Sequence, residues 1–390
     1  MGVPMAKVAL LQCTDYTQGT IKEKIIEGLN LIGFDLNQFR NKKVVLKPNL
    51  LTASQPEKGV ITHPEFFRSA LHIVKENGGI PILAESPATT PLNKILKRVG
   101  YQDMVIEEGV EVANVHETMV LMVDKPLKFK RFEISKIFSE ADIILNLPKL
   151  KTHSLTYMTG AVKNFLGTIP GLNKSQWHVK APSPEEFSEL LLDLNEILYT
   201  GFEPPKKFLH IMDGIVGLEG EGPGPSGEAR KIGAILISED PIALDLTAVN
   251  LVGLDYQNAP TITKGFQRPF GISSPDDVEI VGEKLEDIKL KDFKSSKKKN
   301  LWTMLMRGPF LTRRFKNSFT EKPVPQESTC TLCYQCKHIC PAGAISENEA
   351  GKNVPSYDYD KCIRCFCCME ICPEAAIKLK KGKLQWLVGL

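Results

Sequence analysis

From the start of the chain to about residue 285, short apolar runs alternate with amphipathic stretches. "KVALLQ" (7–12), "KVVLKP" (43–48), "IPILAES" (80–86), "DIILNLP" (142–148), "KFLHIMDG" (207–214) and "GAILIS" (233–238) have strand length. Most are near-continuous in apolar residues, as strands buried on both faces are. Between them, "GTIKEKIIEGLNLIG" (19–33) repeats apolar residues at Ile21, Ile25, Leu29 and Ile32, a helical spacing. "HPEFFRSALHIVKENGG" (63–79) places proline just inside a helix start and glycine past its end, and "SPEEFSELLLDLNEILYTG" (183–201) is also led by proline. The alternation predicts an α/β domain with a mostly parallel, helix-covered sheet.

A further helix is predicted from about Ser154, where Leu155, Met158, Val162 and Phe165 form an apolar stripe. Thr152, Thr156, Thr159 and Lys163 fall on another side, beside Gly160 and Gly167. A mid-helix glycine costs about 1 kcal/mol relative to alanine, so Gly160 points to close approach by a backbone or a ligand.

A chain of 390 residues exceeds what one core usually supports, and composition shifts near residue 286. We expect an α/β domain over 1–285, a basic amphipathic linker over 286–325, a small second domain over 326–380 and a tail over 381–390. The net charge of +3 is small, so nucleic acid is not the expected partner, and no recognition helix or aromatic platform accompanies the basic residues. The stretch 294–316 has eight Lys or Arg residues and no acid, interleaved with Leu301, Trp302, Met304, Phe310 and Phe315. It could lie on a membrane surface or grip an acidic partner. The favoured reading is a solvated linker whose apolar residues pack between the domains. The start has no long apolar run or small-residue cleavage site, and no later segment approaches about 18 uninterrupted apolar residues, so a soluble cytoplasmic protein is expected.

Of ten cysteines, Cys13 stands alone and nine lie between Cys330 and Cys372, which favours metal binding over disulfides. Cys330, Cys333, Cys336 and Cys340 precede Pro341, and Cys362, Cys365, Cys368 and Cys372 precede Pro373, with the same spacing. This C-x2-C-x2-C-x3-C-P run is the bacterial ferredoxin signature, in which the fourth cysteine serves the other cluster. One [4Fe–4S] cluster then takes Cys330, Cys333, Cys336 and Cys372, and a second takes Cys362, Cys365, Cys368 and Cys340. Thiolates also suit zinc, but zinc normally needs only pairs of cysteines and leaves the repeated proline unexplained. Residues 326–380 resemble the two-cluster bacterial ferredoxins, including "PAGAI" and "PEAAI" after each last cysteine, with "VPSYDYD" as the strand leading into the second half. Cys367 has no counterpart in the first half; it reads as a spare thiol packed near a cluster, with a swapped ligand as the alternative.

Polar residues collect at the strand ends of the first domain. Lys149, Lys151 and His153 directly follow "DIILNLP", where ligands of open α/β sheets bind, and would suit a phosphate or carboxylate. The alternative is a solvated loop with His153 capping a helix. Lys47 and Asn49 follow the second strand, Thr62 and His63 precede a helix, and Glu85 and Ser86 follow the third strand. Asp213, Glu219, Asp240 and Asp245 lie beyond later strands, although Asp240 also suits a cap for a helix starting at Pro241. No dinucleotide fingerprint or P-loop occurs, and the glycine run "EGEGPGPSGE" (219–228) is a loop without the lysine a P-loop needs.

Together "KPNL", "THPE", "NLPKLKTH", "TGAVKN", "DGIVGLEGEGPG" and "DPIALD" resemble the family catalogued as domain of unknown function 362, in order over about residues 5–285. That family is often fused to a two-cluster ferredoxin. The resemblance implies an α/β fold and electron transfer through the fused module, and it supplies no substrate. The expectation is an oxygen-sensitive iron–sulfur oxidoreductase. Electrons would come from a redox partner protein and reach an anionic substrate or cofactor in the first domain. Lys149, Lys151 and Lys163 would neutralise the anion, with Lys47, Asn49, Ser86, Thr152, Thr159 and Asn164 around it. His153 or His63 would supply a proton. Glu85, Glu219, Asp213 or Asp245 would bind a hydroxyl, a metal or a cationic part of the ligand. The rival expectation is a ferredoxin-like carrier whose first domain docks a partner or binds a cofactor without turnover.

Overall fold

The computed structural model describes residues 5–296, 320–380 and 382. The first unit contains strands β1 (Ala6–Gln12), β2 (Lys43–Pro48), β3 (Ile80–Leu83), β4 (Glu111–Val112), β5 (Thr118–Met122), β6 (Arg131–Ser135), β7 (Ile143–Leu147), β8 (Lys149–His153), β9 (Tyr157–Thr159), β10 (Lys207–Glu219), β11 (Glu228–Ser238) and β12 (Val278–Gly282). The main sheet has the order β12-β1-β11-β10-β7-β2-β3-β4, β8 and β9 extend it from β10, and β5 and β6 form a separate hairpin. The β12–β1, β10–β7, β7–β2, β2–β3 and β3–β4 pairings are parallel, while β11 is antiparallel to both β1 and β10. The fold is therefore α/β with a mostly parallel sheet. Helices cover both faces because the central strands are apolar on both sides. Helices Gln18–Ile32 and Pro64–Glu76 contribute Ile21, Ile25, Phe66 and Phe67 to one core, and helices Pro184–Thr200 and Pro241–Leu251 contribute Phe187, Leu191, Leu244 and Val249 to the other.

The helix expected from Ser154 does not form. After Pro148 interrupts β7, residues Lys149–His153 run on as a buried strand beside β10, with Lys149 opposite Asp213 and Lys151 opposite Leu218. The chain folds back as β9, which puts Thr159 opposite Lys151, and only then makes a short helix, Ala161–Asn164. The physical reason is at Gly160. Its backbone is extended, and a Cβ there would lie 2.0 Å from Asp245 Oδ1. That carboxylate accepts from Ala161 N at 2.6 Å and Val162 N at 3.2 Å, capping the short helix. Leu155, Met158, Val162 and Phe165 are all buried, so their spacing encoded burial in a folded-back segment rather than helical phase. The close approach expected at Gly160 is real, but the approaching group is Asp245.

The second unit pairs β13 (Lys322–Pro325) with β16 (Ile377–Lys380) and β14 (Ile345–Ser346) with β15 (Ser356–Tyr357), all antiparallel. Two short helices, Gln335–Ile339 and Cys367–Ile371, complete it. The expected linker is shorter than its 286–325 bounds. Leu290 N donates to Leu251 O, Phe293 is buried and Ser296 Oγ donates to His153 O, which fastens the chain to the first unit up to residue 296. Most of the basic run 294–316 and the tail, apart from Gly382, lie outside the described residues.

The units meet at the glycine-rich loop between β10 and β11. A Cβ on Gly224 would lie 2.5 Å from the carbonyl oxygen of Glu370, and one on Gly222 2.3 Å from that of Thr152. Thr89 Oγ1 donates to Gln335 Oε1 at 2.6 Å, and Ala88 packs against Ile339, Cys367 and Ile371. Gly224 thus serves close backbone approach between the two units, and Gly222 serves it within the first. Replacing Gly160 by alanine forces the Asp245 carboxylate off the helix it caps, and should cost about 3 kcal/mol in a urea unfolding titration, with Gly19→Ala, which meets nothing within 4 Å and lies in a helix, as the control that should not destabilise.

Candidate functional site

Three buried lysines have different fates, set by what each ammonium can reach. Lys149 Nζ lies 2.7 Å from Asp213 Oδ2 and 2.7 Å from the Tyr16 hydroxyl, which itself donates to Asp213 Oδ1. His63 N and Ile215 N complete the carboxylate's partners. Burial lowers the Lys149 pKa and Asp213 opposes the shift. Lys47 donates to Glu85 Oε2 at 2.9 Å, and Gly167 makes room for that pair, since a Cβ there would sit 2.6 Å from both Glu85 Oε1 and Lys47 Nζ. Lys151 has no carboxylate among its hydrogen-bond partners; its ammonium donates to Asn49 Oδ1 at 2.7 Å and Val60 O at 2.8 Å. Burial holds its pKa well below the usual lysine range, Lys163 adds to the shift and Glu370 opposes it.

Several expected ligand groups turn out to be engaged inside the fold. Asp213 is saturated by the donors above, and Asp245 is the helix cap, its pKa raised to about 7 by burial. Glu219 accepts from Lys294 N at 3.0 Å, and Thr152 Oγ1 donates to Gly220 O at 2.9 Å. His63 Nδ1 accepts from Glu65 N, its ring stacks on Tyr16 with centroids 3.7 Å apart, and burial lowers its pKa to about 4. His153 Nδ1 accepts from Leu155 N and Thr156 N, so Nε2 carries the proton, 3.5 Å from Glu370 Oε1 of the second unit. His153 thus faces the boundary between units. Asp240 caps Ile242 N and Ala243 N, both at 2.8 Å.

The other expected residues converge. Lys47, Asn49, Glu85, Ser86, Thr159, Lys163 and Asn164 line one cleft with an empty volume of about 450 Å³, together with Leu50, Leu51, Ala88 and Lys174. Lys174 had no signal in the sequence beyond being a lysine. Its ammonium reaches the carbonyls of Ser86 and Ile169, and burial lowers its pKa to about 7. Burial also lowers the Lys163 pKa, while Glu370 and Cys367 of the second unit oppose the shift.

Behind the cleft runs a row of hydrogen bonds with one direction. Lys151 donates to Asn49 Oδ1, Asn49 Nδ2 to Asn164 Oδ1 at 2.9 Å, Asn164 Nδ2 to Asn146 Oδ1 at 2.7 Å, and Asn146 Nδ2 to His210 Nδ1 at 3.1 Å. His210, kept neutral by burial, accepts at Nδ1 and therefore donates from Nε2 to the Tyr199 hydroxyl at 2.7 Å. None of Asn146, His210 or Tyr199 was a sequence candidate.

In the second unit, Cys330, Cys333, Cys336 and Cys372 line a cavity with an empty volume of about 360 Å³. Burial raises the pKa of the Cys340 thiol, with neighbours Cys365 and Cys362 adding to it, and Cys368 is raised by burial and by Cys365, Cys362, Cys336 and Cys340. Iron binding removes that cost by taking thiolates. The two halves match at an offset of 32 residues. Leu332 and Arg364, Tyr334 and Phe366, and Gly343 and Ala375 have positive φ, with values of 55°, 61°, 55°, 64°, 58° and 49°. Ala344 N and Ala376 N each donate to a cysteine sulfur, Cys340 and Cys372, at 3.3 Å. These features fit iron–sulfur clusters: the left-handed residues shape loops around the thiols, and the amides stabilise thiolates. Among the described residues no three His, Cys, Asp or Glu side chains are grouped to hold one metal ion. A cubane instead spreads its thiolates over four irons. Cys367 is buried and packs with Ile339 and Ile371 toward Ala88 of the first unit.

Residues 44–250 match the family described as Domain of unknown function (DUF362), and residues 322–373 match a 4Fe-4S dicluster domain. A curated relative, Thylakoid-associated protein sll1697 of Synechocystis sp., is 31% identical over 257 residues, covering 65% of this chain and 77% of the relative. Among solved structures, a Thermotoga maritima protein aligns over 65% of this chain at 13% identity with a TM-score of 0.39. The lactate racemase apoprotein of Thermoanaerobacterium thermosaccharolyticum aligns over 63% at 17% identity with a TM-score of 0.37. This chain spans 60% and 56% of the lengths of those two chains.

The ion-pair pattern separates structural lysines from available ones. Lys149→Met should cost about 3–5 kcal/mol by stranding Asp213, whereas Lys163→Met should change stability by less than about 1 kcal/mol; urea unfolding of anaerobically purified protein measures both.

Proposed function

The chain belongs to the family catalogued as domain of unknown function 362 and carries a 4Fe-4S dicluster domain, and from that premise we propose that it passes electrons through two [4Fe–4S] clusters to an anionic substrate or cofactor held in the cleft. The observation that carries this reading is the shared wall between cleft and cysteine module. Ala88 lines the cleft and packs against the cluster of Ile339, Cys367 and Ile371, and Lys163 lines the cleft while its ammonium feels Glu370 and Cys367. Cys330, Cys333, Cys336 and Cys372 would hold one cluster, and Cys340, Cys362, Cys365 and Cys368 the other. The clusters supply one-electron chemistry when bound.

The chain's own residues do the rest. The second cysteine set lies on the cleft side, through Cys365 and its neighbour Cys367. Cys333 is the exposed thiol among the described cysteines, which suits its loop for meeting a redox partner protein. In the cleft Lys47 is neutralised by Glu85, which leaves Lys163 and Lys174 to attract the anion and to stabilise charge that reduction adds. Lys174, lowered to about 7, is the cleft group able to release a proton near neutral pH. The basic run 294–316 and the name of the cyanobacterial relative together suit contact with a membrane surface. Among the described residues no helix is long and apolar enough to cross one.

Iron and acid-labile sulfide analysis of anaerobically purified protein should return about eight of each per chain; about four would remove one ligand set. Dithionite-reduced protein should be reoxidised by an anionic small molecule, followed by the visible absorbance of the clusters. Reoxidation by protein partners alone would make the chain a carrier.

A further inference from the structure

Thr159 is 2% exposed and lines the cleft, yet its Oγ1 has no hydrogen-bond partner among the described residues. A buried hydroxyl left without a partner costs about 1–3 kcal/mol. Four positions along, on the same wall, Lys163 forms no ion pair or hydrogen bond among the described residues. The other cleft lysines already have partners: Lys47 the Glu85 carboxylate, and Lys174 the carbonyls of Ser86 and Ile169, which fix its position without neutralising it. One buried hydroxyl without a partner and one ammonium without an ion pair therefore belong to the lining of a single cleft.

We infer that this pair binds the carboxylate of a small organic acid whose remaining body is largely hydrocarbon. The inference rests on the reading of the cleft as the ligand site and narrows the ligand from any anion to a carboxylate. A carboxylate offers two oxygens, which match one hydroxyl and one ammonium. A phosphate site is usually built from rows of backbone N–H groups or arginine forks. Here Pro87 removes an amide donor from the lining, and no arginine is among the described residues that line the cleft. Leu50, Leu51 and Ala88 face the remaining space, which favours an apolar body over a second charged group.

The test uses full-length protein purified anaerobically with its clusters, and butyrate, butyramide and inorganic phosphate as probes, each titrated by ligand-observed NMR. Butyrate should bind at least about tenfold more tightly than butyramide or phosphate. Thr159→Val should weaken butyrate about tenfold while leaving the thermal midpoint unchanged or raised, because it removes an orphan hydroxyl rather than a contact. Lys163→Met should weaken butyrate by at least as much, with iron content retained. Phosphate preferred over butyrate, no butyrate binding, or unchanged butyrate affinity in Thr159→Val would each overturn the inference. Electron delivery is read separately: selective butyrate binding by a protein whose clusters no small anion reoxidises would leave this site standing and remove the redox role of the cleft.

Discussion

Asp213 accepts hydrogen bonds from Tyr16, Lys149 and the amides of His63 and Ile215, so one carboxylate ties together the turn after β1, strand β8, the start of helix Pro64–Glu76 and β10. A lysine buried beside the sheet is tolerable only with such a partner, because desolvation of an unpaired ammonium costs several kcal/mol or more. Fixing Lys149 fixes β8 beside β10, and β8 in turn aims Lys151 at Asn49 and His153 at the second unit. The cleft is therefore built beside a pair whose donors and acceptors are used inside the fold.

The same electrostatic accounting divides the molecule. On the sheet side, positive charge is matched by Asp213 and Glu85. At the boundary with the cysteine module the match is looser: Glu370 influences both Lys151 and Lys163 without pairing closely with either. Its own pKa is raised by burial, and both lysines oppose that shift. Loosely compensated charge near a redox module responds to a change of charge in that module, whereas a tight pair would not.

The strand-length apolar runs and proline-led helices were legible because each is a local pattern with one interpretation; "KVVLKP" is β2 to the residue. The cysteine spacing was legible for the same reason. Segment 154–167 was not, because Leu155, Met158, Val162 and Phe165 are buried by a strand, a turn and a single helical turn that together mimic helical spacing. Deciding between those readings needs Asp245, which lies some eighty residues further on and occupies the space a side chain on Gly160 would fill. Similarly, nothing local tells Lys149 from Lys163. One meets Asp213 across the sheet and the other faces the cleft, a distinction made by tertiary contacts alone. Lys174 and Asn146 escaped notice because each gains its role from partners distant in sequence.

The row from Lys151 through Asn49, Asn164 and Asn146 to His210 and Tyr199 has a property that none of its members has alone. Every carboxamide presents its oxygen toward the lysine and its nitrogen away from it. Reversing any one carboxamide alone would set like groups face to face with its neighbour. Aligned dipoles in a low-dielectric interior reinforce one another, and the positive end that orients them is the Lys151 ammonium. The carbonyls of Lys47 and Ala161, which accept from Asn164 Nδ2 and Asn146 Nδ2, impose the same sense, so the row is held from its middle as well as from its lysine end.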